Sequence, residues 1–257
     1  MYELSANVEW LFTEAGPECA DRVRLAADGG FHAVEIWTWR DKKLPAIRSA
    51  LRETGTQLQT ICVDPMGELT DSRSHGVFLA GLRDSILVAE DLGSPFLVIT
   101  AEGQPTDVAP EDQRAAIVDA LRRAADLLAG RDVVLLLENL NSRVDHLGTF
   151  LDTSRATIQV LREVGSPAVR MLYDAYHSLV MDEDPSNELA DSIDLVSHVQ
   201  IADVPGRGEP GSGQIDWLGQ LSALRQLGYD SMIGLEYQPT GETAQSVRTI
   251  VEIAARA

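Results

Sequence analysis

Cysteine is nearly absent: the 257 residues hold two, Cys19 and Cys62. A disulfide framework needs more, so both are expected to be reduced, buried thiols of a cytoplasmic protein, Cys19 in the first helix and Cys62 on the third strand. Histidine is scarce, with five in the chain, and aromatic residues make up 5%. No stretch approaches the ~18 uninterrupted apolar residues of a membrane span, so no membrane partner is expected. Met1 to Asn7 lacks the basic segment and apolar run of a secretory signal. Basic charge is also short. Lys and Arg number 21 against 40 Asp and Glu, the net charge is −19, and the basic residues form no dense run. Nucleic acid is therefore a poor partner, because binding a phosphate backbone calls for a basic patch; the acidity reads as a solvated helix surface. A glycine-rich phosphate loop is missing too. The first apolar run continues as Glu9-Trp10-Leu11-Phe12-Thr13, which argues against an open, doubly wound nucleotide-binding sheet.

What is present is alternation. The hydrophobic share (44%) and charged share (24%) are those of a globular chain. Short apolar runs predict strands at Leu4–Val8, Ala33–Trp37, Gln57–Val63, Pro95–Thr100, Val133–Glu138, Val169–Asp174, Val196–Ile201 and Met232–Tyr237. Between and after them, helical patterns predict helices around Pro17–Asp28, Leu44–Thr54, His75–Leu92, Pro110–Ala129, Ser154–Val164, Asn187–Ser192, Trp217–Leu227 and Thr243–Arg256. Runs as continuous as Val133-Val134-Leu135-Leu136-Leu137 suit parallel strands buried on both faces. Eight strand–helix units of this kind, in a chain of this length and with no linker, predict a single α/β domain over residues 1–257, a (β/α)8 TIM barrel.

In such a barrel the site forms at the C-terminal ends of the strands. The fifth ends in Glu138 and the sixth in Asp174, while the seventh carries Gln200 and the eighth Glu236. Three carboxylates converging in a low-dielectric mouth would repel one another and raise their pKa values, a conflict that a divalent cation removes. Oxygen-only ligands suit one Mg²⁺ or Mn²⁺ better than Zn²⁺. His177, three residues past Asp174, is expected just above the mouth, within reach of a substrate oxygen. Arg207, in the Gly/Pro-rich loop Pro205–Gly213 after the seventh strand, is suited to clamp a carboxylate or diol. His198 shares strand parity with Gln200 and should point inward one layer lower, as support or core. Glu35, Trp37 and Asn7 are weaker candidates for the barrel wall.

The motifs Leu-Leu-Glu138-Asn-Leu-Asn, Tyr-Asp174-Ala-Tyr-His177, His198-Val-Gln200-Ile-Ala-Asp203, Arg207-Gly-Glu-Pro-Gly-Ser-Gly-Gln-Ile-Asp216 and Gly234-Leu-Glu236-Tyr, with Leu4-Ser-Ala-Asn7 at the start, resemble the hydroxypyruvate isomerase family of the xylose isomerase-like barrels. The likeness spans nearly the whole chain and is most specific from Glu138 onward. It implies a substrate that chelates the metal through carbonyl and hydroxyl oxygens, an enediolate stabilised by that metal, and Glu138 and Glu236 as the acid–base pair. Asp174 and Gln200 would then be ligands, and His177 and Arg207 would orient a small hydroxy-carbonyl or sugar substrate. The region Cys62-Val-Asp-Pro-Met-Gly-Glu68 departs from the family, whose third-strand loop normally carries a histidine nearby, so the substrate carries over less well than the metal site. A ketose 3-epimerase or a 2-oxo-tetronate isomerase would use the same residues. A dehydratase or a non-catalytic binding barrel is less favoured, and an abasic-site endonuclease would want a histidine-rich multi-zinc cluster and a basic groove. Self-association, including a homo-oligomer, is left open.

Overall fold

Each apolar run finds the next one beside it. In the computed structural model, which describes residues 1–257, the strands are β1 (Leu4–Asn7), β2 (Ala33–Glu35), β3 (Gln57–Cys62), β4 (Phe96–Ile99), β5 (Val134–Glu138), β6 (Val169–Asp174), β7 (Val196–Ile201) and β8 (Ile233–Leu235). They pair in chain order, every pair parallel, and β8 returns to β1 through Ser5 opposite Gly234, which closes the barrel. Parallel neighbours require a crossover, and helices provide it. These are α1 (Cys19–Asp28), α2 (Leu44–Thr54), α3 (His75–Leu92), α4 (Pro110–Leu128), α5 (Ser154–Val164), α6 (Ala175–Val180), α7 (Pro185–Glu188), α8 (Trp217–Gln226) and α9 (Thr243–Arg256). Gly93 ends α3 and Gly165 ends α5, each at a positive φ (75° and 65°) with its N–H on the carbonyl four residues back.

Side-chain alternation divides the interior. Leu135 and Leu137 face the large core between barrel and helices, whereas Leu136 joins Cys62, Val98 and Leu172 in a small cluster inside the barrel. Near that cluster the interior is polar, with Ser5, Glu35, Thr60 and His198 all buried. The register sets the levels: Asp174 pairs with Gln200 and Gln200 with Gly234, while Leu172 and His198 pair one step lower.

The predicted fold class holds, with local differences. Several strands are shorter than expected, and the first helix begins at Cys19 rather than Pro17. The helix expected at Asn187–Ser192 lies at Pro185–Glu188, because Asp184 caps it by accepting from Ser186 N at 3.0 Å and Pro185 suits its first turn. One helix was not expected at all. Asp174-Ala-Tyr-His177 opens α6, for which the Asp174 carboxylate is itself the cap. No helix is long and apolar enough to cross a membrane. Both cysteines are free, Cys19 in α1 and Cys62 at the end of β3.

Candidate active site

The site is built from strand ends. Glu138 closes β5 and Asp174 closes β6, with Gln200 on β7 and Glu236 one residue beyond β8, and all four are buried. With His177 and Arg207 they line, or lie at the edge of, a cavity of about 550 Å³ at the C-terminal mouth of the barrel. Ligand atoms of Glu138, Asp174 and His177 lie within 4.8 Å of one another.

Asp174 divides its carboxylate between two tasks. Oδ1 accepts from Tyr176 N at 2.8 Å and His177 N at 3.3 Å, capping α6. Oδ2 is left facing the site, 3.4 Å from His177 Nε2 and 3.4 Å from Arg207 Nη2. Asn139 clamps the Asp174 backbone from both sides, at 3.1 Å each way. Burial raises the Asp174 pKa to about 7, and Glu236 pushes in the same direction against Arg207. Glu138 is driven well above the usual carboxylate range by burial first, then by Glu236 and Asp174. Burial is the larger cause, and the repulsion expected of converging acids adds to it; Arg207 offsets the two only in part.

Glu236 is held from three sides. Oε1 accepts from Trp37 Nε1 at 2.7 Å and Asn7 Nδ2 at 2.8 Å, and Oε2 from Arg207 Nη2 at 2.6 Å. The Arg207 guanidinium lies between the Trp10 and Tyr176 rings, 4.9 Å from each centroid. Its backbone takes a positive φ of 55° and its carbonyl accepts from Gln238 N at 2.9 Å. The loop carrying Arg207 is gathered around buried Asp203, which accepts from Val204 N, Gly211 N and Trp217 Nε1 at 2.7–3.2 Å.

Two atoms aimed into this region have no partner: Gln200 Oε1 and His177 Nε2. The histidine's proton can be placed by elimination. Asn141 Oδ1 accepts from Val144 N and Asp145 N, both at 3.0 Å, so its NH₂ faces the ring, and Nδ1, 2.6 Å away, is the acceptor. The neutral ring then carries its proton on Nε2. Burial, with Arg207 and His146, keeps the imidazole uncharged. His177 thus presents a donor to the cavity, whereas the carboxylates and Gln200 Oε1 present acceptors. An oxygen-rich acceptor set with an orphaned amide oxygen fits a hard divalent cation.

The structure brings together all six residues singled out from sequence. It also adds Trp37, which had been read as wall or core, and Trp10, Asn139 and Asn141, which had not been singled out. The two asparagines stood inside the motif Glu138-Asn-Leu-Asn141, where residue type alone did not show that they act as clamps.

The xylose isomerase-like TIM barrel family model matches residues 23–253. The chain belongs to that family. A human relative named "Putative hydroxypyruvate isomerase" is 34% identical over 256 residues, 95% of this chain and 92% of its own. The Escherichia coli (strain K12) hydroxypyruvate isomerase is 28% identical over 257 residues, 96% of this chain and 98% of its own. A solved structure from Brucella melitensis described as AP endonuclease, family 2, superposes with a TM-score of 0.91 at 27% identity, covering 98% of this chain and 99% of that one. With barrel, site and relatives in agreement, the chain is an enzyme of the isomerase class.

Proposed function

We propose that this member of the xylose isomerase-like family is a divalent-metal-dependent isomerase of hydroxypyruvate isomerase type, interconverting a small hydroxy-ketone and hydroxy-aldehyde. The observation that carries the reading is the buried set Glu138, Asp174, Gln200 Oε1 and Glu236 at one cavity mouth, with the Glu138 and Asp174 carboxyls driven upward by burial first and by neighbouring carboxylates second. A Mg²⁺ or Mn²⁺ ion held by these four residues supplies Lewis acidity toward the carbonyl and hydroxyl oxygens of the substrate. The side chains do the rest. Glu138 and Glu236 face the substrate from strands three apart. One removes the proton from the hydroxyl-bearing carbon, the other returns a proton to the former carbonyl carbon, and the hydroxyl proton passes to the former carbonyl oxygen. His177 Nε2–H donates to a substrate oxygen. Arg207, steadied between Trp10 and Tyr176, orients a substrate carboxylate.

The cavity also bears on substrate length. At about 30 Å³ per water-sized group, a three-carbon hydroxy-keto acid of about seven heavy atoms fills roughly 200 Å³, well under the ~550 Å³ present. Four-carbon 2-oxo acids and ketohexoses therefore belong beside hydroxypyruvate among the substrates to try, and 3-epimerisation would use the same glutamates. A nucleic-acid substrate is disfavoured by the net charge of −19.

The deciding experiment is proton exchange in D₂O, followed by NMR, on metal-loaded protein with hydroxypyruvate, 2-oxo-tetronate and ketohexoses. One compound is expected to take up deuterium at carbon only with Mn²⁺ or Mg²⁺ present, and Glu138→Gln and Glu236→Gln are expected to abolish this without unfolding the barrel. Full turnover in both variants would remove the glutamates from the mechanism.

A further inference from the structure

Below the mouth lies a buried polar group that the proposed chemistry does not use. Glu35, at the end of β2, is completely shielded from solvent. Its carboxylate is surrounded by donors from three other strands. Oε1 receives Ser5 Oγ and, at 2.7 Å, His198 Nε2; Oε2 receives Gln200 Nε2 at 2.7 Å and Thr60 Oγ1 at 3.3 Å. The space is made by Gly234. A Cβ there would collide with Glu35 Oε1 and lie 2.8 Å from His198 Nε2 and 2.9 Å from Gln200 Cγ.

An amide side chain can be turned either way, and the two faces differ in kind: NH₂ only donates and C=O only accepts. An ionised carboxylate only accepts. Glu35 therefore admits the NH₂ of Gln200 and refuses its oxygen. Oε1, left without any partner in the protein, has to face the mouth. The other neighbour of the amide, Glu236 Oε1, accepts a longer and weaker bond from Nε2, at 3.5 Å.

We infer that Glu35 is a positioning residue for the metal centre, setting the polarity of Gln200 so that the amide oxygen, not the nitrogen, is offered to the cation. This rests on the reading of Gln200 as a ligand given above. It explains why a chain with so acidic a mouth keeps another carboxylate buried beneath it: a neutral ligand with two unlike ends needs a neighbour that tolerates only one of them.

The test is Mn²⁺ binding to the full chain by titration calorimetry, with no substrate. Glu35→Gln keeps the shape but accepts either face of Gln200, so Mn²⁺ affinity is expected to fall about tenfold or more, the range for loss of a partner that orients a metal ligand. Gln200→Ala is expected to lose at least as much. In the Gln200→Ala background, Glu35→Gln should change affinity within about twofold. In Glu35→Gln combined with Gln200→Glu, where the residue at 200 has no wrong face and the new amide at 35 donates to it, affinity should return. Unchanged affinity in Glu35→Gln overturns the inference, and so does an equal loss with and without Gln200, which would mean that Glu35 acts by charge alone. Unchanged affinity in Gln200→Ala instead overturns the ligand reading itself. Should Glu35→Gln not fold, ¹⁵N-glutamine NMR of the Mg²⁺-loaded wild-type protein decides. The Gln200 amide protons, identified by their loss in Gln200→Ala, are expected to exchange slowly with solvent, and fast exchange overturns the inference.

Discussion

The amide of Asn141 gives its two hydrogens to His177 Nδ1 and Asp145 Oδ2 while its oxygen holds two backbone N–H groups. An aspartate at this position would ask His177 for a proton on Nδ1 and strip it from Nε2. Asn141→Asp is accordingly expected to lower kcat/KM about 10- to 100-fold and to leave Mn²⁺ affinity undiminished, which steady-state kinetics and calorimetry read separately. Reach was legible in the residue types, and polarity was not. Glu138, Asp174, Gln200 and Glu236 could be picked out because consecutive strand ends share one level of a barrel. That His177 donates, and that Gln200 offers oxygen, depends on Asn141 and Glu35, whose donor and acceptor faces become defined only when distant strands meet.

Elements differ in how far local pattern determined them. α3 and α5 carry their own end signals in Gly93 and Gly165 and were read from the chain with their bounds intact. α6 was not: Asp174-Ala-Tyr-His177 was read as a strand end and the residues just above it, and the capping by Asp174 Oδ1 shows only once the chain is folded. β8 shows tertiary control of a strand. Gly234 looks like a weak residue for a sheet, yet its missing side chain is the room that Glu35, His198 and Gln200 occupy. Gly234→Ala should cost about 1–3 kcal/mol by overpacking, whereas Gly241→Ala, where an added Cβ meets nothing within 4 Å, should change stability by less than about 0.5 kcal/mol. Thermal or urea unfolding of the two variants checks the contrast.

At the scale of the whole molecule, the crowded acids couple folding to pH and, through the proposed metal site, to the cation. Asp174 has a folded pKa raised to about 7, above its ordinary value near 3.9. A carboxyl shifted upward contributes stability while protonated, and this is lost as pH rises through about 7. The metal-free protein should thus lose Tm between pH 6 and pH 8 on account of this group. The cation needs the ionised form, so its affinity should fall by up to about tenfold per pH unit below 7. At 100 times its Kd, Mn²⁺ adds about 2.7 kcal/mol, a rise in Tm of roughly 5–10 °C at pH 8 that shrinks toward pH 5; a gain that is flat with pH would show that no proton is displaced. The same coupling has an optical side. Two of the four tryptophans, Trp10 and Trp37, line the cavity, and the Trp37 indole N–H is tied to Glu236 Oε1 at 2.7 Å. A cation recruiting Glu236 as proposed would compete with that bond, which puts a built-in fluorophore at the proposed metal site: emission should move on titration with Mg²⁺, and Trp37→Phe should silence most of the change, with no label or coupled assay needed.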